Sequence, residues 1–367
     1  MTKLETRCMP PIYNLDQAGR AVFTLHRVPR ALILLLQRKH VHPDILSGLI
    51  QMFRAQTSLS DGDNTADTED NTLRVRANTE RLMGDSRYFG RKLKGGIREG
   101  SDSRKTSDYE FDIPCCPVTF LLMLMVIHCD THLVPRSVSL QTLHDMATLA
   151  HHFECEPVML YFSNLWIDSL LGTISSNIND DTSRWFWIAW VFQKREILFQ
   201  ITHILITESE TPLKTEDWSI PHEIIERINA QRVGYIQSLI DTLLYDTLFE
   251  VQRGCLRLNG DDDNYAGHAA KQMCTYAVLG AFTQKLVEMD ILPSEPVGPF
   301  NGISISNILR VCTEMQSPAF ETSGSFAAHR QCSLGHRMTD FLEFYCTPMG
   351  LEIDDVDIAD LSGFITD

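Results

Sequence analysis

The chain has 367 residues, a net charge of −16, 44% hydrophobic residues and 22% charged residues. That length permits one large domain or two ordinary ones, and that hydrophobic share supports sizeable cores. The negative charge repels a nucleic-acid duplex at long range and so excludes a nucleic-acid surface unless basic residues are strongly segregated. The best such group, Arg87, Arg91, Lys92, Lys94 and Arg98, reads as a solvated helix face and loop.

Residues up to about Arg30 carry little pattern and are expected to form a tail, assigned as 1–40. Residues 57–72, TSLSDGDNTADTEDNT, are polar and acidic with nothing to bury, so a loop or disordered insert is expected there. Leu73-Arg74-Val75-Arg76 then alternates as a short strand should. Asn78 or Thr79 can cap a helix that runs through Leu82, Met83, Tyr88 and Phe89 and is stopped by Gly95-Gly96. A polar loop leads to a second alternating strand at Tyr109 to Ile113, and Pro114 and Pro117 mark a turn.

Phe120 to His128 is apolar on every side, which predicts a buried helix. Leu143, Met146, Ala147, Leu149 and Ala150 recur at helical spacing. Val158 to Leu171 forms another helix, with Leu160, Tyr161, Asn164, Leu165 and Asp168 on successive turns. The polar stretch 172–183 is the expected domain boundary.

Helices alone are predicted beyond it. One is capped at Thr182-Ser183, contains Trp185 to Phe192 and continues through Leu205. Pro221 sits at the start of another, where its missing N–H costs nothing. Further helices cover Cys274 to Met289 and a segment capped at Ser304 or Ser306, and the chain ends in an acidic tail. The apolar runs at Ala31–Leu36, Phe120–Ile127 and Trp185–Phe192 fall far short of the roughly 20 residues that cross a bilayer, so no membrane segment is expected.

Catalytic signatures are absent or broken. His222-Glu223-Ile224-Ile225-Glu226 lacks the second histidine of a zinc-protease HExxH, and Gly95 to Gly100 lacks the lysine of a phosphate-binding loop. His151-His152 beside Cys155 has no third orienting group for a Cys–His nucleophile pair. The ten cysteines lack disulfide-framework spacing, which suits free thiols in a reducing compartment and an intracellular location, cytoplasmic or nuclear.

Cys255, His268 and Cys274, followed by His329-x-x-Cys332 and His336, carry the soft thiolates and imidazoles of tetrahedral zinc. Against this stand the absence of a CxxC pair and the long separation of the two halves. The bland alternative makes the cysteines small hydrophobes and the histidines exposed or capping residues. The expectation is therefore no metal site, no cofactor and no catalytic residue.

LRVRANTERLMGDSRYFGRKLKGGIREG resembles the strand–helix unit of BTB/POZ domains. YEFDIPCCPVTFLLMLMVIHCDTHLVPRSVSLQTLHDMATLAHHFECEPVMLYFSNLWIDSL resembles the rest of that domain. The segments IPHEIIERINAQRVGYIQSLIDTLL, VLGAFTQKL, GISISNILRVC and HRQCSLGHRM resemble the helical C-terminal part of fungal BTB-containing proteins. The resemblance implies an α+β, predominantly helical fold: a BTB/POZ-like domain over 41–171 carrying the insert at 57–72, an all-α domain over 183–346, and an acidic tail over 347–367. It departs from the family at the opening strand. Three readings are open there: Asp44-Ile45-Leu46 stands for that strand, an insert splits the first hairpin, or the N-terminal region lies outside the fold. The family docks proteins: its members self-associate or hold a cullin scaffold for ubiquitin transfer. In cullin adaptors a hydrophobic-x-Glu triplet serves, and Ile97-Arg98-Glu99 stands at that place, an apolar anchor beside an orienting carboxylate.

Overall fold

A computed structural model describes residues 12–37, 71–98, 108–255, 265–316, 329, 332–346 and 350–352. The fold is α+β and predominantly helical, with one small sheet. Two units divide the chain, Met1–Ile174 with Trp187–Gln193, and Ser175–Phe186 with Lys194–Asp367.

The first unit is built on a four-stranded sheet of order β1-β3-β2-β4, where β1 is Ile12–Asn14, β2 Ala21–Leu25, β3 Leu73–Ala77 and β4 Tyr109–Ile113. β3 lies parallel to β1 and antiparallel to β2, and β2 lies parallel to β4. The expected N-terminal tail is thus corrected: β1, β2 and helix α1 (Arg30–Leu36) all fall within residues 1–40. Asp44-Ile45-Leu46 lies outside the described residues, and the partner antiparallel to β3 is Ala21–Leu25.

β2 escapes pattern reading because it is covered on both faces, which removes the apolar–polar alternation of a half-buried strand. On one face, Arg74 pairs with Glu110 at 2.6 Å and Arg76 with Asp108 at 2.8 Å, spanning the row that carries Val22 and Thr24. The aliphatic stems of such arginines cover apolar surface while their heads stay wet. On the other face Phe23 meets Phe111, Phe120 and Phe89 at ring-centroid distances of 5.0, 5.2 and 5.6 Å. Aromatic pairs at these separations contribute about 0.5–1.5 kcal/mol beyond their area burial.

The helices of this unit are α2 (Thr79–Asp85), α3 (Arg87–Arg98), α4 (Pro117–Ile127), α5 (Leu140–His152) and α6 (Glu156–Leu170). Asn78 is the cap of α2, its side chain accepting from the amides of Glu80 and Arg81. The single helix expected across 79–94 is broken at Ser86, and the second piece runs past Gly95-Gly96 to Arg98. Ser86 is extended; its hydroxyl donates to the carbonyl of Phe153 at 2.6 Å and accepts from the amide of Phe89 at 3.1 Å. One hydroxyl therefore ends α2, starts α3 and ties both to the end of α5. Every residue of α4 is buried, as its uniform apolarity requires. Pro117 opens that helix, and its missing N–H falls where no intrahelical bond is made.

The second unit contains the start of α7 (Asp180–Val191), then α8 (Arg195–Glu208), α9 (His222–Asp241), α10 (Leu248–Gln252), α11 (Tyr265–Glu288), α12 (Ile305–Thr313), α13 (Leu334–Arg337) and α14 (Thr339–Tyr345). A π-helical stretch, Thr242–Thr247, joins α9 to α10. α7 is capped by Asn179 rather than by Thr182-Ser183: the Asn179 carboxamide oxygen accepts from the amides of Asp181 and Thr182. Residues 187–193, expected in the all-α domain, belong to the first unit. There the Trp187 indole donates to Thr148 Oγ1 at 3.0 Å and meets the His151 ring edge-on.

The interior of this second unit is organised by an arginine. Arg232 of α9 is fully buried and donates to the carbonyls of Ser209, Pro299, Phe300 and Ile303 at 2.7–2.9 Å. A guanidinium carries five donors in a fixed fork, which is why it can serve several carbonyls at once. Burial lowers its pKa from the usual arginine value. At the far end of the chain Tyr345 of α14 holds to α9 through Ser238 and Thr242 at 2.8–3.2 Å.

Candidate functional site

The sequence placed partner binding at Ile97, Arg98 and Glu99. Ile97 and Arg98 occupy the last turn of α3, whereas Glu99 lies outside the described residues. The basic group on the same helix is solvated: Arg91 forms a forked pair with Glu154, and Lys92 stands over the Tyr88 ring at 5.5 Å. That arrangement neutralises part of the charge that a nucleic acid would need.

α6 shows a second surface. Met159, Phe162, Ser163, Trp166 and Ile167 face inward, with the Trp166 indole donating to the carbonyl of Pro135 at 2.8 Å. Leu160, Tyr161 and Leu165, on the helical turns singled out in the sequence, are therefore the outward face. They are 43%, 74% and 37% exposed and are flanked by the exposed polar residues Asn164 and Asp168. A helix facing water on one side does not need large apolar groups there, and clustered ones mark interaction surfaces.

The Cys–His pair considered at Cys155 has the wrong electrostatics for a nucleophile. Cys155 is buried and its thiol is pushed up by desolvation, with Glu156 and Asp85 adding to the rise. His151 Nδ1 lies 3.2 Å from Glu156 instead. A thiol held neutral is inert.

Cysteines and histidines of the second unit do come together. Cys255, Cys274, His329 and Cys332 present one ligand atom each, all within 4.8 Å of one another. Cys255 Sγ lies 3.0 Å from His329 Nδ1 and 3.7 Å from Cys332 Sγ. Cys274, His329 and Cys332 are buried, and Cys255 is partly so. Desolvation, with the neighbouring Cys332 and Cys255, pushes the Cys274 thiol up. His268 and His336, considered with them in the sequence, are exposed and stand outside this group. The expectation of no metal site rested on the absence of a CxxC pair and on the separation of the two halves along the chain, and the fold removes that separation.

Local structure aims each of these side chains. Gly254, at φ +106°, turns the chain after α10 and delivers Cys255. Cys274 projects from α11. His329 and Cys332 precede α13, whose cap is Ser333. Arg337 of α13 fastens the two sides: it donates to the carbonyls of Gly254 at 2.7 Å, Glu250 at 3.0 Å and Cys332 at 3.3 Å. Among the described residues, no helix is long and apolar enough to cross a membrane.

No family model, curated protein or solved structure matches this chain.

Proposed function

We propose that this chain is a non-catalytic protein-interaction module whose first unit, BTB/POZ-like in its run of strands and helices, docks a protein partner. The observation that carries this reading is the outward apolar face of α6, Leu160, Tyr161 and Leu165, on a helix whose other face already closes the core. An exposed tyrosine between leucines, edged by polar side chains, has the anatomy of a protein hot spot: apolar anchors at the centre and a polar rim.

The partner is a second copy of the chain or a cullin scaffold, the latter held with help from Ile97-Arg98-Glu99. Light scattering on the full chain over a range of concentrations tests the first arm, with Tyr161→Asp as the disrupting variant. Binding to a cullin N-terminal domain tests the second, with Ile97→Asp and Glu99→Lys combined. Dimerisation or micromolar cullin binding that the matching variant abolishes supports docking through this unit. A wild type that stays monomeric and binds no cullin overturns it.

A further inference from the structure

We infer that Cys255, Cys274, His329 and Cys332 form a structural zinc site that staples the C-terminal segment of the helical unit to α11 and to the turn after α10.

Donor chemistry comes first. Three thiols and one imidazole form a soft, borderline set that suits zinc, and carboxylates, which would favour magnesium or calcium, are not among the grouped ligands. Two sulfurs bound about 2.3 Å from a tetrahedral ion lie roughly 3.8 Å apart. Cys255 and Cys332 are separated by 3.7 Å. The Cys255–His329 pair, at 3.0 Å, is closer than the roughly 3.5 Å that separates a sulfur and a nitrogen on one tetrahedral ion, so it has to spread by about half an ångström as the ion enters. All four atoms lie within 4.8 Å of each other, a cage for one ion. A two-iron cluster divides its outer ligands between two metals and needs a wider one.

A disulfide accounts for the grouping less well. Joining two of the cysteines would account for the approach of two ligand atoms, whereas four converge on one point. Four protein ligands also close the coordination sphere, which is the mark of a structural rather than a catalytic zinc. The surroundings fit the charge. Three thiolates, a neutral imidazole and one divalent cation sum to a single negative charge, and Arg337 stands beside the site, bonded to the backbone at Cys332 and just before Cys255. Such outer contacts hold ligands in place and tune a metal site.

The ligands also explain why the chain needs an ion here. They come from chain stretches far apart in sequence, and Cys255 is 77 positions from Cys332. A single ion would fix those stretches together and add to the apolar contact that Leu334 of α13 and Phe341 and Tyr345 of α14 already bury.

The test uses the full chain, freed of any affinity tag, grown with zinc and passed through gel filtration before its metal content is measured by mass spectrometry. One zinc per chain is expected. Cys274→Ser and His329→Ala each lose it, whereas Cys346→Ser, His268→Ala and His336→Ala keep it. Should the ligand variants fail to fold, cobalt exchange into the wild type decides: a tetrahedral cobalt–thiolate absorption is expected, together with thiols that become reactive only after chelation. Wild-type protein that carries no zinc and gives no cobalt–thiolate spectrum overturns the proposal. So does zinc retained at full stoichiometry by Cys274→Ser.

Discussion

Around Phe23 the sheet unit buries rings against rings, whereas around Arg232 the helical unit buries a guanidinium against four carbonyls. The first kind of interior is non-directional: apolar groups of similar volume can replace one another with modest repacking. The second is directional, because each donor has one acceptor and a missing partner leaves a buried carbonyl unsatisfied. The same contrast runs to the edges of both units. Phe89, Phe120 and Phe153 extend the aromatic cluster of the first. Tyr345, Arg337 and the Cys–His group tether distant stretches of the second by small sets of polar contacts. Beside an apolar core that includes Ile201, Ile228, Leu239 and Phe282, the second unit carries tethers that are legible only once the chain has folded.

The sharpest way to break the comparison is at its two centres. Arg232→Met should destabilise the protein by about 3–5 kcal/mol, since it leaves four buried carbonyls without their donor and each unsatisfied group costs about 1–3 kcal/mol. Arg232→Lys should recover little, because an ammonium has three donors and no planar fork. Phe23→Leu, by contrast, should cost about 1–3 kcal/mol, because an apolar group refills most of the space while the ring contacts are lost. Urea denaturation of the three variants measures all of this. Equal losses for Arg232→Lys and Phe23→Leu would erase the distinction between the two interiors.

A smaller effect sharpens the reading of the N-terminal strands. A methyl group added at Gly19 would collide with the carbonyl of Ala77, a backbone atom that cannot swing away. Gly19→Ala should therefore cost about 1–3 kcal/mol by overpacking. Were residues 12–25 an unattached tail, the substitution would be silent in a thermal melt. Ser86→Ala follows at about 1–2 kcal/mol, for it removes the hydroxyl that caps α3 and satisfies the carbonyl of Phe153.

These positions also show what the sequence could and could not disclose. β3 and β4 were readable because they alternate, Asn78 because it is a capping residue ahead of a periodic run, and α4 because it is apolar on all sides. β2 was not, since AVFTL is covered on both faces and offers no alternation. The break at Ser86 was hidden because its cause, the carbonyl of Phe153, lies 67 positions away. At the Cys–His group the residue types were visible, and H-x-x-C was a fair signal. Which histidine joins was not visible, because His268 and His336 carry the same chemistry as His329 and only the fold separates them. On α6 the helical spacing was plain, but its outward face could be identified only once Met159, Phe162 and Trp166 were seen to turn inward.

The smallest effect concerns a polar contact inside the apolar unit. His128 closes α4; its Nδ1 donates to the carbonyl of Leu124 at 2.8 Å, and its Nε2 accepts from the amide of Asn78 at 2.8 Å. The bond at Nε2 requires the neutral ring, because a protonated Nε2 can no longer accept, whereas the bond at Nδ1 survives protonation. Desolvation is the main cause that holds its pKa below 6.5, with Arg81 acting in the same sense and the bond to Leu124, Asp16 and Asp85 opposing. Below pH 6.5 the unfolded chain takes up a proton that the folded chain resists, so the unfolded state binds more protons and stability falls as pH falls. The decline from this one group can reach at most about 1.4 kcal/mol per pH unit. The contribution of the neutral ring is present in full above the unfolded pKa and is lost progressively below it. Denaturation of wild type and His128→Gln at neutral and mildly acidic pH should show the stability gap between them narrowing as the pH drops. A gap that stays constant would mean that folding leaves the ring's affinity for a proton unchanged, and that the bond from the Asn78 amide contributes as little as one interchangeable contact of the aromatic core around it.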